Sequence, residues 1–150
     1  MLFFTHILLG ILIFLGARLF FFDLNWIHFL LTLLGSILPD IDEPHSKLHR
    51  WSGIVGKIIT FFAKHRGFFH SLLFMALLWG MLWRWGYGGY GFALSLGFFA
   101  HLLGDSCTPR GVQVFWPFSR VCFSGPIRTG GLLEFLLSVL LVGILLKGVF

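Results

Sequence analysis

Four short stretches hold most of the residues able to do chemistry: "TH" at 5–6, "LPDIDEPHS" at 38–46, "HRGFFHS" at 65–71 and "HLLGD" at 101–105. A fifth, "GGLLEF" at 130–135, adds Glu134. Histidine and carboxylate without a thiolate form a donor set that suits zinc, manganese or iron. His101 and Asp105 stand at i and i+4, about 40° apart on a helix, and so share a face. Asp40 and Asp42 stand at i and i+2 and share a face only if the chain is locally extended. His65 and His70 are about 140° apart on an ideal helix. They converge only if Gly67 breaks that helix, leaving His65 before it and His70 in its first turn. His28, His45 and His49 read as structural or solvated. Ser71 and Thr108 read as supporting hydroxyls rather than nucleophiles.

The elements that must position these residues are apolar. Of 150 residues, 57% are hydrophobic, 19% aromatic and 11% charged, and the mean hydropathy is +0.91. A soluble domain carries about 25% charged residues, so one integral membrane domain over residues 1–150 is expected. The net charge of +5 then reports topology and anionic lipid headgroups, and no nucleic-acid partner is expected. Cys107 and Cys122 allow one disulfide at most and read as free thiols.

Five apolar runs cover 1–22, 24–38, 67–85, 90–104 and 130–150. The first lacks a basic leader and reads as a retained helix, not a signal peptide. "WSGIVGKIITFFAKH" at 51–65 is amphipathic and too short and charged to span. The expected fold is all-α: an integral membrane bundle of about five transmembrane helices plus an amphipathic interfacial or re-entrant helix. The tight turns "FDLN" and "GYGG" make neighbouring helices antiparallel.

On that topology His6, Asp40, Asp42, His65, His70, His101, Asp105 and Glu134 fall at one depth on one side. Ionisable residues inside a membrane are expensive and are functional candidates by default. Segments on that side also carry Lys47, Arg50, Lys57, Lys64, Arg66, Arg110, Arg120 and Arg128, against Arg18, Arg84 and Lys147 on the other. The positive-inside rule therefore predicts a multi-pass protein of the cell membrane, with N-terminus and site cytoplasmic and C-terminus outside.

Taken in order, "TH", "GSILPDIDEPHS", "HRGFFHS", "HLLGDSCTPRGVQVFWP" and "GGLLEF" resemble the YdjM-like membrane-bound metal-dependent hydrolases, a family distantly similar to zinc-dependent phospholipase C. The resemblance covers most of the chain. Glu43 stands where a His is common, and Phe69 where a Thr is common. The resemblance implies metal ligation by His6, Asp40, His65, His70, His101 and Asp105, with Asp42 and Glu134 close by. One or two divalent ions are expected, zinc first and manganese second. The expected activity is hydrolysis of a phosphoester in a phospholipid or other lipid-linked phosphate by metal-activated water. Asp42 or Glu134 would take the proton, and Arg66 and Arg110 would neutralise a phosphoryl oxygen. A metal-ion transporter and a non-catalytic metal-binding membrane protein are the competing readings.

Overall fold

A computed structural model of the chain describes residues 1–21, 23–42, 53 and 68–149, with the Asp42 and Val149 side chains outside the described set. Five α-helices carry the described fold: α1 (Phe3–Arg18), α2 (Trp26–Ile37), α3 (Leu72–Arg84), α4 (Gly88–Ser106) and α5 (Leu132–Val149). Two short 3-10 turns, Leu38–Asp42 and Phe68–His70, lie between α2 and α3.

Local capping explains two of the starts. Asn25 Oδ1 accepts from the N–H groups of Ile27 at 3.0 Å and His28 at 3.3 Å. The His28 ring returns to the Asn25 N–H, which closes a capping box and gives this histidine a structural task. Ser71 caps α3, its hydroxyl accepting from Phe74 N–H at 3.2 Å and donating to the Phe68 carbonyl at 2.7 Å. α1 follows Leu2, whose side chain offers no cap.

α4 is the central helix and packs against α1, α2 and α3, while α1 also packs against α2 and α5. The approach of α2 to α4 is close enough to require glycine on both sides. A Cβ at Gly35 would strike the Leu94 carbonyl, and one at Gly97 would strike the Thr32 carbonyl and come within 2.7 Å of Ser36 N. Thr32 Oγ1 adds a tie between the helices, 3.0 Å from the Ala93 carbonyl. Phe98, Leu102 and Val112 form a small apolar core, joined by Leu72, Phe74, Met75 and Val114.

The segment from Cys107 to Gly131 folds back on the end of α4. Val112 and Phe123 exchange backbone hydrogen bonds at 2.9 and 3.0 Å, and the Cys107 and Thr108 carbonyls accept from Ile127 and Gly125. The Val114 carbonyl reaches across to Leu72 N–H at 2.8 Å, at the start of α3. Both cysteines are unbridged and exposed.

The helical class holds, but the expected integral membrane bundle does not. Among the described residues no helix is long and apolar enough to cross a membrane. A hydrocarbon core of about 30 Å needs about 20 apolar residues. α1, α2 and α3 have 16, 12 and 13 residues. α4 has 19, but five are glycines, and it carries the polar His101 and Asp105. In α5 only 12 residues separate Glu134 from Lys147. The sequence reading overestimated the spans because the apolar runs continue past the helix ends: α1 stops at Arg18 although Leu19, Phe20 and Phe21 follow. The amphipathic segment 51–65 lies outside the described residues, Gly53 apart.

The distribution of polarity is inverted relative to a water-soluble fold. Phe20 and Phe118 are 78% and 85% exposed, and Trp26, Trp83, Leu132 and Phe135 also face outward. The most deeply buried large side chains include His6, His70, His101, Asp105 and Glu134.

Candidate metal centre

His6 enters from the first turns of α1, Asp40 from the 3-10 turn after α2, His70 from the 3-10 turn before α3, and His101 and Asp105 from α4. His6, His70, His101 and Asp105 are buried, and the Asp40 side chain is 18% exposed. Asp105 is the hub. Its Oδ1 lies 3.5 Å from His6 Nε2, and its Oδ2 lies 3.8 Å from both His70 Nε2 and His101 Nε2. Asp40 Oδ1 is 3.8 Å from His101 Nε2. The Met1 amine reaches Asp105 Oδ1 at 2.9 Å. The His6 and His101 rings stack with centroids 4.0 Å apart and planes 13° apart, and His70 meets His101 edge-on at 5.2 Å.

Glycine makes room for this stack as well. A Cβ at Gly104 would stand 3.0 Å from His6 Nδ1, so α1 can lay an imidazole directly on α4 only at such a position.

His101 Nδ1 lies 2.8 Å from the Ser36 carbonyl. A carbonyl only accepts, so Nδ1 carries the proton, and in the neutral ring Nε2 presents its lone pair to Asp40 and Asp105. Ser36 is one residue from the end of α2, where carbonyls lack a partner within the helix. A second hydrogen bond that fixes ring and tautomer is the usual support of a metal-binding histidine.

Among the described residues, neither ring nitrogen of His6 nor Nε2 of His101 has a hydrogen-bond partner. Leaving such buried groups unmade costs about 1–3 kcal/mol each. Burial holds the His6 imidazolium down, to about 3, with the stacked His101 ring acting in the same direction and Asp105 opposing. Burial also lowers His101, against the pull of Asp105 and Asp40. For Asp105, burial by itself favours the neutral acid. The facing His6 and His101 rings and the Met1 amine outweigh it and keep the carboxyl below the usual range.

The donors fit a divalent cation. Two overlapping sets, His6–Asp40–His101 and His70–His101–Asp105, each have their ligand atoms within 4.8 Å of one another. Ligand atoms about 2.1 Å from a tetrahedral ion stand about 3.4 Å apart, close to the separations across Asp105. Neutral imidazoles and an ionised carboxylate are the forms that bind such ions.

Other expected site residues are placed differently. His65 and Arg66 lie outside the described residues. Asp42 ends a 3-10 turn, not the extended chain on which a shared face with Asp40 depended. His70 precedes the helix in its own 3-10 turn, ahead of the Ser71 cap, rather than riding in the first helical turn. Glu134 is buried away from the two donor sets and accepts from Leu2 N–H, Thr5 Oγ1 and Gly130 N–H. Arg110 is exposed, five residues beyond Asp105. Thr108 donates to the Asp105 carbonyl at 2.8 Å. Sequence reasoning missed the Ser36 carbonyl, because a backbone group has no signature in residue type.

The family model described as YdjM inner membrane protein matches residues 1–149. The chain belongs to the YdjM family. It is 34% identical over 100 residues to the inner membrane protein YdjM of Escherichia coli (strain K12) and of Shigella flexneri, covering 62% of this chain and 51% of each relative. A Bacillus subtilis (strain 168) relative, named Uncharacterized protein YvsG, is 30% identical over 103 residues, 67% of this chain and 64% of that one. The chain thus spans about half to two thirds of the length of these curated relatives. No solved structure matches it.

Proposed function

We propose that this YdjM-family chain is a membrane-associated, metal-dependent hydrolase acting on a phosphoester of a phospholipid or other lipid-linked phosphate. The observation that carries the metal reading is the His101 ring. Its Nδ1–H is held by the Ser36 carbonyl, and its bare Nε2 faces two aspartates. The outward-facing apolar side chains and relatives named as inner membrane proteins support association with lipid, since large exposed apolar patches mark such surfaces.

Here His6, His70, His101, Asp40 and Asp105 would hold a divalent ion, zinc or manganese. Such an ion supplies Lewis acidity and lowers the pKa of water. The protein's part is to hold His6 and His101 neutral, keep Asp105 ionised and leave an approach on the side of the partly exposed Asp40. Arg110 and Arg66 are proposed to receive phosphate charge. With Glu134 engaged by three donors, Asp42 is the carboxylate proposed to accept a proton.

The test is metal analysis of purified protein and of the His101→Ala, Asp105→Ala double variant, beside headgroup release from a phospholipid panel with and without chelator. Wild type should carry metal, the double variant should not, and release should stop with chelator. Full metal occupancy in the double variant would end the assignment of the centre. Metal binding with no release across the panel would end the hydrolase reading.

A further inference from the structure

Glu134 is a buried carboxylate that takes no part in either donor set, yet it is bonded to the segment that delivers His6. Its Oε1 accepts from Leu2 N–H at 2.6 Å and Thr5 Oγ1 at 3.0 Å, and its Oε2 accepts from Gly130 N–H at 2.6 Å. Thr5 is the residue before His6, and the Leu2 carbonyl accepts from the N–H groups of both Thr5 and His6. A helix start leaves N–H groups without partners, and a side chain at the cap ordinarily takes one. Leu2 has no side chain able to do so. Glu134 instead takes the N–H of Leu2 itself, as the glutamate of a capping box does, but from α5 rather than from α1, and places its carboxylate where the α1 dipole favours it. It stands at the same time in the first turn of α5, so one carboxylate serves two helix starts.

We infer that Glu134 is a positioning residue: it clamps the first turn of α1 to the start of α5 and thereby holds His6 in its stack on His101, within reach of Asp105. The inference rests on the metal reading only for its consequence, that metal affinity depends on Glu134 through His6. The clamp itself is a matter of hydrogen bonds.

The test is a double-mutant cycle read by binding and visible absorption of Co²⁺ on the full chain in detergent. Glu134→Ala should weaken Co²⁺ about 10–100-fold, the range for residues that orient a ligand, and shift the absorption bands as His6→Ala does. The variant carrying both changes should bind no more weakly than His6→Ala alone. Glu134→Gln keeps a carbonyl for Leu2 and Thr5 and gives up only the acceptor for Gly130 N–H, so it should fold and recover most of the affinity. Leu141→Ala, a buried apolar truncation on the same helix, should lower stability and leave Co²⁺ affinity unchanged. Independent, multiplying losses in the double variant would overturn the inference, as would an equal loss of affinity in Leu141→Ala. If Glu134→Ala does not fold, the cycle run with Thr5→Val, which removes the Thr5 hydroxyl from Glu134 and keeps the side-chain shape, decides in the same way. If wild type binds no Co²⁺, the metal reading fails separately. Amide exchange over residues 2–9 then decides the clamp: faster exchange in Glu134→Ala than in Glu134→Gln supports it, and exchange unchanged from wild type in Glu134→Ala overturns it.

Discussion

The metal-free protein should lose stability in mild acid, and the His6 environment sets the size of the loss. His6 titrates near 6.5 when unfolded and at about 3 when folded, chiefly because burial penalises the imidazolium. Between those values the unfolded chain binds a proton that the folded chain refuses, so stability falls as pH drops below about 6.5. Integrated from pH 7 to pH 5, one such group costs about 2 kcal/mol. His101 is lowered as well and acts in the same direction. Asp105 has a depressed folded pKa. Its contribution is present above its unfolded value of 3.8 and is lost only below that, so it is constant over this interval. The assay is denaturant unfolding in mild detergent with chelator at pH 7, 6 and 5, on wild type and His6→Ala. Wild type should lose at least about 2 kcal/mol, and His6→Ala should lose about 2 kcal/mol less than wild type over the same range. A flat profile in wild type, or equal slopes in the two proteins, refutes the picture of a neutral imidazole sealed in the centre.

Three further outcomes are expected. Gly97→Val should destabilise the fold by about 1–3 kcal/mol through overpacking against the Thr32 carbonyl and should weaken metal binding, checked by thermal unfolding and metal titration. Ser71→Ala should cost about 1 kcal/mol as a lost helix cap while leaving metal content intact; loss of metal would show that this hydroxyl belongs to the centre. Elemental analysis should give one ion per chain rather than two. The two donor sets share His101, and its Nδ1 is taken by Ser36.

What was legible in the sequence was local. His101 and Asp105 lie on one uninterrupted helix, so their spacing alone puts them on one face. The starts of α2 and α3 were not legible from their caps: the apolar runs begin at residues 24 and 67, ahead of Asn25 and Ser71, because apolar residues stand on both sides of each cap. The ends of the helices were not legible, because aromatic and aliphatic residues continue through the turns, and run length overstated helix length. His6, Asp40 and His70 reach the centre through packing between elements. That packing depends on Gly35, Gly97 and Gly104 meeting particular neighbours, and no sequence pattern pairs a glycine with its opposite surface. Glu134 was half legible: a glutamate in a first helical turn is ordinary, but its bonds to Leu2 and Thr5 join opposite ends of the chain.

The hold on His101 has a genetic consequence. The acceptor is the main-chain oxygen of Ser36, so no exchange of side chain at that position deletes it. A scan that replaces each residue by alanine would score Ser36 as dispensable to the centre, while longer side chains would meet Gly10, whose own added Cβ would lie 3.0 Å from Ser36 Cβ. The instruction that fixes the imidazole is instead where α2 stops. Inserting or deleting one residue within α2 would rotate a different carbonyl into place and unset the ring, though every histidine and aspartate remained. In this protein the orientation of an imidazole is inherited as the length of a helix.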